Sequence, residues 1–193
     1  RRQRQMCIRD SIGNVLPHKG LDVLIRAMAL LRSEDISLDV VGAPADRAYS
    51  QRIGAFIRQE GLENRIRFHG YLPAAALNRM LEDCHVLVVP SFYEGYGIIC
   101  GEAYCHGVPV IASDVGGLRE TVPPSAGYRV PPGDPVSLAK KVSFLAHHRD
   151  ELETMSSSAL EHAASMPSWK ESMDRAVDFL ENLAAGGRTP STL

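Results

Sequence analysis

The sequence predicts an α/β domain built on a doubly wound parallel sheet, and three observations lead there. Short apolar runs alternate with longer stretches of helical period along most of the chain. The strand candidates are apolar on both faces, as strands of a parallel sheet covered on both sides must be. With 193 residues, 45% hydrophobic and 23% charged, the chain suits one large globular domain that can bury a core.

The elements follow in order. Leu21, Leu24, Ile25, Met28 and Leu31 recur on one helical face. "SLDVVG", 37–42, reads as a strand closed by glycine, and Ile53, Phe56 and Ile57 mark a second helix that ends at Gly61. "RIRFHG", 65–70, alternates as a strand does, and Pro73 opens a helix that runs through Leu81. "HVLVVP", 85–90, is a buried strand ended by proline, and a helix follows from about Tyr96 to His106. "VPVIAS", 108–113, and "GYRV", 127–130, are the last strands; Asp134 then caps a helix through "PVSLAKKVSFLAHH". Residues 1–11, "RRQRQMCIRDS", carry four arginines and little periodicity. They read as a non-native or truncated N-terminal segment, so that the strand expected before Gly13 is missing or replaced. The expected organisation is 1–11 as that segment, 12–165 as the domain, and 166–193 as a C-terminal helix and tail.

Charge and motifs exclude several classes. Lys plus Arg is 21 and Asp plus Glu is 23, which leaves no electrostatic footprint for nucleic acid. No apolar run reaches the roughly 18 residues of a membrane span, and the N-terminus has no signal-peptide h-region. The expected location is cytoplasmic. The four cysteines form no C-x-x-C pair and read as small buried thiols. No dinucleotide G-x-G-x-x-G, P-loop, H-E-x-x-H or G-x-S-x-G is present.

The most informative stretch is "SFYEGYGIICGEAYCHGVPVIAS", 91–113, where Glu94 and Glu102 flank Gly95 and Gly97 between two buried strands. In a doubly wound sheet, ligands bind outside the carboxyl ends of the strands at the switch point, so Glu94 to Gly97 should lie on that rim. The glycines let backbone approach a ligand, and the helix behind them turns its free N–H groups toward it.

"EGYGIICGE" resembles the E-x7-E motif of the retaining GT-B glycosyltransferases of the glycosyl transferases group 1 (GT4-like) family. "NVLPHKGLDVLIRAMALL" is similar to that family's diphosphate-binding loop and first helix, and "RIRFHGYLP" to its base-side loop. "VLVVPSFYEGYGIICGEAYCHGVPVIASDVGGLRETV" is similar nearly position by position, and "GYRVPPGDPVSLAKKV" resembles the segment that closes the domain. The resemblance covers residues 12–145, with a family-like terminal helix around Trp169. It extends to the C-terminal, Rossmann-like half of a two-half enzyme, so the acceptor half is expected to be absent and this chain alone to transfer no sugar.

The resemblance implies a donor that is a UDP- or GDP-sugar. Lys19 would hold its diphosphate, with backbone N–H groups of Tyr96, Gly97 and Ile98 at the distal phosphate. Glu102 would take the ribose diol, and Glu94 the sugar hydroxyls. His69 and Gly70 would meet the base through backbone atoms. Glu94 and Lys19 are the implied catalytic residues. Where the family often carries an arginine, five residues before Lys19, this chain has Asn14. No D-x-D occurs, so neither a metal nor another cofactor is implied, and Lys19 with the helix dipole would take a metal's place. "DVGGLRE", 114–120, would either support the donor site or serve as a plain strand–turn–helix connection. The acceptor (glycan, lipid or small molecule) and any membrane association would belong to the missing half. Two kinds of alternative stay open: another enzyme on the same two-domain plan, a nucleotide-sugar epimerase or a phosphorylase, and a non-catalytic nucleotide-sugar-binding module.

Overall fold

The computed structural model describes residues 6–10 and 14–184. The first five residues of the unusual N-terminal segment, residues 11–13 and the tail from 185 lie outside the described residues. The chain divides into two compact units, Arg1–Ala163 and Ala164–Leu193.

The first unit is a six-stranded, all-parallel sheet: β1 (Met6–Asp10), β2 (Ile36–Val41), β3 (Ile66–Gly70), β4 (Val86–Val89), β5 (Val110–Ser113) and β6 (Gly127–Val130). Their order in the sheet is β3-β2-β1-β4-β5-β6. The helices are α1 (Leu21–Leu30), α2 (Arg47–Gln59), α3 (Ala74–Glu82), α4 (Ile98–Cys105), the short α5 (Leu118–Thr121), α6 (Pro135–His147) and α7 (Arg149–Ser165). Every residue of β2, β4 and β5 is buried, as the apolar runs require.

The expectation that a strand is missing before Gly13 is corrected here. Residues 6–10 are the strand that seemed missing, and they hold a central place between β2 and β4. Met6 and Ile8 are fully buried in the core formed with α1 and β2. The strand is hard to read in sequence because only two of its side chains supply apolar bulk, two residues apart, after a run of arginine and glutamine.

Local chemistry explains the helix ends. Asp46 and Asp134 cap α2 and α6 by accepting from the N–H groups of Tyr49, and of Val136 and Ser137. The Ser137 hydroxyl, which donates to Asp134 Oδ2, and these backbone bonds hold the Asp134 carboxyl below its ordinary range. The α1–β2 turn is clamped by Arg65, whose guanidinium donates to the carbonyls of Leu31, Glu34 and Ile36.

In the second unit, α8 (Trp169–Ala184) starts with a capping box: Ser168 N–H donates to Glu171 Oε2 at 2.7 Å, and Glu171 N–H to Ser168 Oγ at 3.2 Å. Trp169, Met173, Val177, Leu180 and Leu183 are exposed at helical spacing. No helix of the described residues is long and apolar enough to cross a membrane.

Candidate donor-binding site

The sheet order reverses between β1 and β4, because the chain builds outward from β1 to β3 and then returns to begin β4 on β1's other side. Loops leaving neighbouring strands in opposite directions open a crevice at their carboxyl ends. The loop after β1 carries Asn14 to Gly20, and the loop after β4 carries Pro90 to Gly97.

The first loop tightens into a short 3₁₀ turn, Pro17–Lys19, with proline at its first position. Gly20 then takes a φ of 70° and starts α1. A Cβ on Gly20 would lie 2.0 Å from the carbonyl oxygen of Pro90, so only glycine lets the two loops meet. The Phe92 N–H donates to the His18 carbonyl at 2.8 Å, a second stitch between them. Asn14 is exposed, and Val15 beside it is anchored through its N–H to the Ala43 carbonyl.

These constraints bring together two residues far apart in sequence. Lys19 Nζ donates to Glu94 Oε2 at 2.8 Å, with the lysine side chain 27% and the glutamate 17% exposed. Tyr96 and Ile98 are exposed beside it, and so are Phe92 and Tyr93. Gly97 has φ 82° and serves as the N-cap of α4 without any side-chain cap; the Cys100 N–H turns back to the Gly97 carbonyl, and those of Ile98 and Ile99 have no side-chain cap. A Cβ at Gly97 would press to 2.7 Å from Leu118 Cδ2, whereas one at Gly95 would meet nothing within 4 Å. Gly97 is thus required by the fold, and Gly95 is open. Glu102 lies one turn into α4 on its exposed side.

Behind the loop sits "DVGGLRE". Gly117 N–H donates to the Glu94 carbonyl at 3.1 Å. A Cβ on Gly116 would come within 2.2 Å of that oxygen, and one on Gly117 within 2.3 Å of the Gly95 carbonyl. The turn connects β5 to α5 and packs backbone to backbone on Glu94 and Gly95.

His69 and Gly70 end β3, two strand spacings or about 10 Å from β1. His69 Nε2 lies 2.7 Å from Asp39 Oδ1, a pairing the sequence did not suggest. The Gly70 carbonyl accepts from Gly42 N–H. His69 and Gly70 therefore lie at the flank of the rim, while Lys19 and Glu94 lie at its centre.

The cysteines are corrected in part. Cys100 is buried on the inner face of α4, and burial pushes its thiol up to about 12. Cys7 and Cys84 are half-buried, and Cys105 is exposed. Cys105 lies one residue past the buried Tyr104, so the helix turns it outward.

The family model described as glycosyl transferases group 1 matches residues 10–162. The chain belongs to this family. Among curated relatives, a D-inositol 3-phosphate glycosyltransferase of Thermomonospora curvata is 30% identical over 176 residues, covering 86% of this chain and 41% of that protein. The chain thus spans about two-fifths of the length of this group 1 relative. Among solved structures, the sucrose-phosphate synthase of Thermosynechococcus elongatus superimposes with a TM-score of 0.85 at 28% identity, covering 96% of this chain and 47% of that one. Anabaena HepE, solved in complex with UDP-glucose, superimposes with a TM-score of 0.78 at 25% identity, covering 83% of this chain and 44% of that one. The all-parallel, doubly wound sheet is that of the GT-B members of the group 1 family.

Proposed function

We propose that this chain is the donor-binding half of a retaining glycosyltransferase that takes a sugar from a nucleoside-diphosphate sugar, UDP-sugar before GDP-sugar. The observation that carries the reading is the meeting of Lys19 and Glu94 across the switch point, beside the uncapped start of α4. A solved relative in complex with UDP-glucose supports uridine as the base.

As the bond from the sugar's C1 to the diphosphate breaks, negative charge grows on the leaving oxygen. The Lys19 ammonium and the N–H groups of Tyr96, Gly97 and Ile98 stabilise that charge from fixed positions, and fixed donors need no reorganisation during the step. Glu94 accepts from sugar hydroxyls and Glu102 from the ribose diol. The base lies toward His69 and Gly70 on the flank. The roughly 10 Å from β1 to β3 suits an extended ligand that runs from the centre of the rim to its edge. Asn14 donates a neutral hydrogen bond where a cation would bind phosphate about twice as strongly. Nothing among these groups activates an acceptor, and the acceptor's partners belong to the other half of the enzyme.

Calorimetric titration with UDP tests the reading. Glu102→Ala is expected to weaken binding by about 1–3 kcal/mol, the cost of leaving a hydroxyl pair without its charged acceptor. Unchanged affinity would remove Glu102 from the ribose.

A further inference from the structure

Glu94 poses an electrostatic problem for the proposed site. Its Oε2 lies 2.8 Å from Lys19 Nζ, the ammonium that the proposed site offers to the diphosphate. Both side chains are more than two-thirds covered, so the surrounding water screens them only in part. An anion that approaches Lys19 therefore also approaches a carboxylate. The Glu94 backbone is fixed, because its carbonyl accepts from Gly117 N–H and is packed on Gly116, and the carboxylate itself is largely covered and bonded to Lys19. A carboxylate so placed opposes diphosphate binding unless something else engages it.

A sugar does so. Its hydroxyls donate to carboxylate oxygens, and charge-assisted bonds of that kind are strong. The nucleoside diphosphate that remains after transfer has lost those donors. It has also gained a free terminal phosphate with a second pKa near 6, so at about pH 7.5 it carries roughly one more negative charge than the sugar ester.

We infer that Glu94 discriminates the sugar-bearing donor from the nucleoside diphosphate left behind: it accepts from the sugar's hydroxyls, and beside Lys19 it repels a free terminal phosphate. The inference rests on the donor-site reading above. It makes Glu94 a specificity group that weakens retention of the product as well as a partner of the sugar. Gly116 and Gly117 are its positioning residues, since they hold the Glu94 backbone where the carboxylate meets Lys19.

The test measures UDP and UDP-glucose binding by calorimetry at low salt for the wild-type chain, Glu94→Gln and Lys19→Gln. Glu94→Gln should bind UDP at least about fivefold tighter, the factor for a unit charge a few ångström away in bulk water and so the lower bound for a partly covered pair. It should bind UDP-glucose no better than the wild type, so that preference for the sugar-bearing ligand falls at least fivefold. Glu94→Ala removes the same charge and reads the same ratio should the amide variant fail to fold. UDP binding that weakens in these variants, or that shifts by the same factor as UDP-glucose binding, overturns the inference while leaving the site in place. Wild-type protein that binds neither ligand, or Lys19→Gln that binds both as the wild type does, overturns the donor-site reading and this inference with it.

Discussion

The centre of the rim holds an ion pair and its flank a histidine–carboxylate hydrogen bond, and they are built differently. Lys19 and Glu94 are 75 residues apart and join the two halves of the sheet, whereas His69 and Asp39, 30 apart, join adjacent strands on one side. Each contact has a left-handed glycine next to it in sequence, Gly20 with φ 70° and Gly70 with φ 65°. The backbones ask for the same conformation, but the surroundings differ. A Cβ on Gly20 would run into the Pro90 carbonyl, while a Cβ on Gly70 would meet nothing within 4 Å. The centre depends on backbone contact between distant loops, and the flank only on local geometry.

Gly20→Ala should therefore show the largest effect. Left-handed strain of about 1–2 kcal/mol adds to overpacking of about 1–3 kcal/mol, for a total of about 2–5 kcal/mol in urea unfolding. Gly117→Ala sharpens the comparison, because its φ of −65° removes strain and leaves only the clash with the Gly95 carbonyl. About 1–3 kcal/mol of stability should be lost, with UDP affinity falling as the Glu94 loop shifts. Gly70→Ala should cost about 1–2 kcal/mol, from backbone strain alone. A loss at Gly70 equal to that at Gly20 would erase the distinction between centre and flank. The smallest effect belongs to the exposed Asn14. Asn14→Arg should tighten UDP binding by up to about 1 kcal/mol at low salt, as a partly exposed ion pair allows. The gain should shrink toward physiological salt, where charges are screened over about 8 Å. If UDP gains no more than uridine, Asn14 does not face the phosphates.

Helices and strands were legible wherever period and punctuation agreed. Pro73 lies next to the start of α3, Asp134 caps α6, and "VLVV" fills β4. β1 was not legible, since Met6 and Ile8 look unremarkable until β2 and β4 are seen on either side. The outward turn of Cys105 depends on which side of α4 faces the sheet, and the mixed sequence "IICGEAYC" shows no clear apolar stripe. The double glycine at 116–117 suggested a turn, but its partner lies more than twenty residues earlier in the chain.

The sequence by itself determined the α/β class, the places of most elements, and the residue types at the rim. Those follow from local periodicity, from turn chemistry, and from a resemblance carried by several ordered motifs. Only the tertiary structure decided that the N-terminal residues form a central strand, that Lys19 reaches Glu94, and that Gly20, Gly116 and Gly117 hold the loops in contact. These are distances between segments far apart in the chain. They arise from sheet order and close packing, which no local pattern of residues encodes.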